Sequence, residues 1–99
     1  MKLVRDCIPQ IIEEDGKRCN HRLVHGMDEH MVFLKSKMLE ETQEFFENPC
    51  YEEAADMLEV VKAFCYLNKL EFGSVLGTAQ DKWETHGGFE SGVVLLSVE

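Results

Sequence analysis

Apolar residues recur at helical spacing along most of the chain, and glycine, proline and polar breaks divide the pattern into four helical segments. The first is short: Asp6 is its cap, Pro9 lies in its first turn, Ile8, Ile11 and Ile12 form its apolar side, and Gly16 ends it. Cys19 to His25 alternates weakly without a helical period and predicts a short strand or extended loop. Asp28 opens a long helix to about Glu47, with Met31, Leu34, Met38, Leu39, Phe45 and Phe46 recurring along it. Asn48-Pro49 stops that helix, and Pro49 suits the first turn of the next. The second long helix is predicted to reach about Leu70, with Ala54, Met57, Leu58, Val61, Phe64 and Cys65 on one stripe. Ser74 caps a further helix carrying Val75, Leu76, Ala79 and Trp83 inward, closed by Gly87-Gly88. Gly92 to Val98 is apolar and β-branched, and predicts a terminal strand able to pair with residues 19–25.

The pattern thus predicts a mainly α fold, an antiparallel helical hairpin with a minor β element at residues 19–25 and 92–98. On the second long helix, Val60, Ala63, Leu67 and Leu70 lie off the sector of Met57, Val61 and Phe64. On the first, Phe33 would be exposed in an isolated hairpin. A helix apolar on two sides is normally covered on two sides, so a homodimer or higher homo-oligomer with a four-helix core is expected. Ninety-nine residues point the same way, since one small domain buries only a modest share of its surface.

Charge sharpens this picture. The net charge of −9 disfavours a nucleic-acid polymer as partner, because phosphate neutralisation needs basic side chains. No apolar run has the length of a membrane span, and early charges disfavour a signal peptide. Four cysteines without a CxxC spacing suit reduced thiols and a cytoplasmic location. Eight of the acidic residues fall between Glu40 and Glu59, a stretch without lysine or arginine.

Glu41-x-x-Glu44 ends one long helix and Glu53-x-x-Asp56 begins the next. In an antiparallel hairpin, residues whose numbers add to the same total lie level, as do Glu44 with Glu53 and Glu41 with Asp56. The i, i+3 spacing keeps each pair on one side of its helix. Glu41 falls about 20° from Leu34 at the edge of the apolar stripe, and Glu53 within an apolar sector. Carboxylates crowded and desolvated in this way need a neutralising partner, and all-oxygen ligation suits Mg²⁺ or Mn²⁺. A solvated helix face is the plainer alternative, with the macrodipole favouring Glu52 and Glu53 in a first turn.

These residues also carry a resemblance. Lys2-Leu3-Val4-Arg5-Asp6-Cys7-Ile8-Pro9, Glu40-Glu41-Thr42-Gln43-Glu44, Glu53-Ala54-Ala55-Asp56 and Lys82 with His86-Gly87-Gly88-Phe89 resemble the MazG-like all-α nucleotide pyrophosphohydrolases. The resembling branch is that of phosphoribosyl-ATP pyrophosphohydrolase-like proteins, and the resemblance spans nearly all of residues 1–99 as one domain. It implies Mg²⁺ held by Glu41, Glu44, Glu53 and Asp56, and hydrolysis of a nucleoside triphosphate or related nucleotide to monophosphate and pyrophosphate, as in nucleotide-pool house-cleaning. Cys7 and His86 depart from it, each placing a largely neutral group where the family has a fixed positive charge. Glu40 is the candidate general base, and Arg5, Lys2 and Lys82 are the candidate phosphate contacts. The rival expectation is a non-catalytic acidic binding or regulatory module on the same scaffold.

Overall fold

A computed structural model describes residues 1–99 and contains four helices: α1 (Ile8–Glu14), α2 (Met27–Glu47), α3 (Tyr51–Leu67) and α4 (Phe72–His86). It contains no strand. The chain divides into two compact units, Met1–Lys69 and Leu70–Glu99. No helix is long and apolar enough to cross a membrane.

In the first unit α2 and α3 pack as a hairpin joined by Asn48, Pro49 and Cys50. Leu34, Val60 and Cys65 form its small buried core, at 2%, 7% and 7% exposure. Met31, Met38 and Phe45 of the expected α2 stripe are half-buried, whereas Leu39 and Phe46 face outward, 74% and 72% exposed. The stripe is therefore narrower than its apolar residues suggest.

The expected second apolar face also changes. Val60 is buried, Ala63 and Leu67 are half-buried, and only Leu70 is exposed. Phe33 is half-buried as well, and it lines a cleft of about 220 Å³ with Val32, Ser36, Lys37, Glu40 and the N-terminal residues Met1, Lys2 and Leu3. The outward apolar residues are instead Val32, Leu39 and Phe46 on α2 and Tyr51, Leu58 and Tyr66 on α3.

Helix ends depart from expectation where backbone groups find better partners. Cys7, not Asp6, is the α1 N-cap, without a side-chain hydrogen bond, and Ile11 of its expected apolar side is exposed. Gly26 opens α2 at φ 148°, a conformation that favours glycine, so Asp28 lies in the first turn. The Glu29 carboxylate accepts the His25 backbone N–H at 2.8 Å and pairs with Arg22 at 2.7 Å, fixing the incoming chain. These bonds hold Glu29 at a pKa of about 2, with the Arg22 hydrogen bond the largest cause. α3 stops at Leu67 rather than Leu70: Asn68 donates its side-chain N–H to the Phe64 carbonyl, and Lys69 turns left-handed at φ 59°.

In the second unit, α4 begins two residues before Ser74. The Glu71 carboxylate caps it, accepting the Gly73 and Ser74 backbone N–H groups at 3.0 and 3.1 Å. The hydrogen bond from the Ser74 hydroxyl is the largest of the contacts that lower the Glu71 pKa. Gly87 ends the helix, as expected. Leu76, Ala79 and Trp83 do not point inward, and Leu76 and Trp83 are 55% and 58% exposed. Residues 92–98 are exposed throughout and, like 19–25, form no strand. β-branched composition supplies propensity, but a strand needs an edge to pair with, and neither segment has one.

Candidate functional site

The Asn48–Cys50 turn folds the last turns of α2 onto the first turns of α3 and brings Glu53 and Asp56 to Glu41, while Glu44 groups with Glu40 and Glu41 of its own helix. One ligand atom each from Glu41, Glu53 and Asp56 lie within 4.8 Å of one another, as do ligand atoms from Glu40, Glu41 and Glu44. Five carboxylates thus form two triads, and Glu41 belongs to both.

Their burial reverses the expected order. Glu41, at the edge of the predicted stripe, is the buried one at 5% exposure, while Glu53 and Asp56 are half-buried. Glu41 Oε2 and Glu53 Oε2 are shielded from solvent and have no hydrogen-bond partner. Such an orphaned carboxylate oxygen is costly unless a cation supplies the missing contact. The charge of Glu41 is the main cause of a raised Glu44 pKa, followed by burial.

Two basic side chains stand against the cluster. Arg5 Nη2 donates to Asp56 Oδ1 at 2.7 Å, a bond that raises the Arg5 pKa further. Lys37 Nζ lies 3.1 Å from Glu41 Oε1 and 3.5 Å from Glu40 Oε1. Burial works to lower the Lys37 pKa, but the Glu41 hydrogen bond and the charges of Glu40 and Glu41 raise it overall. Lys2 lines the cleft shared by Lys37 and Glu40, and Lys82 is exposed on α4 in the other unit.

Lys37 is absent from the sequence-based candidates. Its signal is present nonetheless: it precedes Glu40 by three residues and Glu41 by four, the spacings at which helix side chains meet.

The donor set fits a hard divalent cation. All five groups are carboxylates, a shared ligand links the two triads, and two oxygens lie buried without partners. Comparison with protein-family models, curated proteins and solved structures finds no match to this chain.

Proposed function

We propose that this chain is a Mg²⁺-dependent nucleotide pyrophosphohydrolase, with Mn²⁺ able to replace Mg²⁺. The observation that carries the reading is the pair of orphaned oxygens, Glu41 Oε2 and Glu53 Oε2, within two carboxylate triads. The resemblance of the flanking segments to MazG-like enzymes adds the reaction class.

Glu41, Glu44, Glu53 and Asp56 would hold the cation, with Glu41 shared. When bound, Mg²⁺ supplies charge neutralisation, a lower pKa for a coordinated water and stabilisation of the leaving pyrophosphate. The chain's own groups do the rest. Glu40, half-buried beside Lys37, would take a proton from the attacking water. Arg5 and Lys2, both on the N-terminal segment, supply positive charge for the phosphates, and Lys82 is the further phosphate contact that the resemblance implies.

A second copy of the chain completes the reading. Leu39 is level with Leu58, and Phe46 with Tyr51, so the outward apolar residues form matched rungs across the hairpin. Pairing such faces gives a four-helix core.

A panel of nucleoside triphosphates and phosphoribosyl-ATP, assayed with Mg²⁺, should yield monophosphate and pyrophosphate from at least one member. Glu53→Gln should abolish that release while its melting temperature without metal stays equal or rises, since one of several repelling carboxylates is gone. Metal binding with no turnover of any nucleotide would favour the non-catalytic module. Full activity of Glu53→Gln at saturating Mg²⁺ would remove Glu53 from the ligand set.

A further inference from the structure

Each carboxylate triad is attended by one cation of the chain itself. Lys37 spans Glu40 and Glu41 with only 18% of its side chain exposed, and Arg5 is bonded to Asp56. We propose that Lys37 and Arg5 are displaceable counter-ions: they hold the oxygens a divalent cation needs, and turn to the substrate's phosphates when it binds. The inference rests on the metal reading above and adds an exchange that the reading alone does not require.

Charge and donor geometry argue for the exchange. Five carboxylates face only two basic groups, so Lys37 and Arg5 ease the repulsion without removing it. The oxygens divide into two sets. Glu41 Oε1 and Asp56 Oδ1 are taken by the basic side chains, while Glu41 Oε2 and Glu53 Oε2 are bare. A cation that enters at the bare oxygens adds charge beside Lys37 and Arg5, and both are then repelled from the carboxylates they held.

Each has somewhere to go. Arg5 uses one nitrogen on Asp56 and its side chain is 55% exposed, so most of its fork is unengaged and suited to bidentate phosphate contact. Lys37 is tethered to α2 but also lines the cleft with Lys2 and Ser36, into which a rotamer change would carry its ammonium. A polyanion attached to the incoming cation would thus meet two freed positive groups beside it. The same two residues would oppose the bare metal and favour the metal–phosphate complex.

That opposition sets the test. Calorimetric titration of Mn²⁺ alone into the wild-type chain, Lys37→Met and Arg5→Gln should give about tenfold tighter Mn²⁺ binding for each variant, as one competing charged hydrogen bond is lost. Titration of inorganic pyrophosphate into the Mn²⁺-loaded proteins should show the reverse, about tenfold weaker binding for each variant. An ion pair too far from the site to meet the cation or the phosphates would move neither affinity. Arg5→Gln, at an exposed position, keeps the test open if Lys37→Met fails to fold. Wild-type protein that binds no Mn²⁺ would overturn the metal reading and this inference with it. Normal wild-type binding with equal or weaker Mn²⁺ affinity in the folded variants would overturn the exchange alone. Tighter Mn²⁺ binding with unchanged pyrophosphate affinity would overturn the turn toward phosphate.

Discussion

The hairpin unit and the C-terminal unit use similar sequence patterns to different ends. Both carry helices with apolar residues at three- and four-residue spacing, yet Leu34 of α2 is 2% exposed and Trp83 of α4 is 58% exposed. The hairpin has a partner helix of comparable length joined by a tight turn, so its stripe is covered from within. Within its own unit α4 has no second helix, and none of its residues is buried. Periodicity identifies the face of a helix that can be buried; what covers that face depends on the rest of the fold.

The sharpest way to break this contrast is to remove equivalent apolar mass from each unit. Leu34→Ala should cost about 2–5 kcal/mol in urea unfolding, while Trp83→Ala should stay below about 1 kcal/mol. Equal losses would show that α4 is covered as thoroughly as α2. A smaller effect is expected from Leu39→Glu, on the outward side of the hairpin. Light scattering of the wild-type chain should give a mass above 11.4 kDa, and the variant should fall toward that single-chain value with its dilute-solution melting temperature unchanged. A single-chain mass for the wild type would leave Leu39 and Phe46 as plain surface residues. Leu67→Glu is less decisive, since half-buried Leu67 also serves the hairpin's own packing.

The smallest effect concerns the two segments whose composition suggested strands. Residues 22–25 are tied to α2 through Glu29, whereas in the tail Gly92 donates its N–H to Phe89 and residues 93–98 make no hydrogen bond. The Glu29 pKa is depressed from 4.5 to about 2, so its stabilisation is fully present above 4.5 and is lost as pH falls through the folded-state value. The melting-temperature advantage of wild type over Glu29→Gln should be largest near neutrality, shrink below pH 4.5 and vanish only below the folded-state value of about 2. A difference independent of pH would mean that the carboxylate charge is not what holds this segment.

The hairpin and its converging acids were legible because both depend on local rules: period, turn length and level residues. Mainly helical content, the Asn48–Pro49 break and the Gly87 terminus follow from the same rules. What was not legible depended on neighbours distant in sequence. Phe33 lines a cleft with Leu3 of the N-terminal segment, which no helical wheel displays, and Glu41 is more buried than Glu53 because stripe edges are set by packing. Arg5 meets Asp56 across fifty-one positions, a contact invisible to spacing arguments. Lys37 is the opposite case, a local i, i+4 partner of Glu41 whose signal lies just outside the acidic run.

The three-residue connection from α2 to α3 also bears on how the chain folds. The contacts that bring Glu53 and Asp56 to Glu41 join neighbouring helices, so little loop entropy opposes them and they can form early. Acidic groups crowded by an early contact would raise the barrier the chain crosses as well as strain the state it reaches. Neutral charge at those positions would act first on the rate of folding and less on the rate of unfolding. An acidic site placed at the mouth of a tight hairpin is thus assembled at the very step it resists.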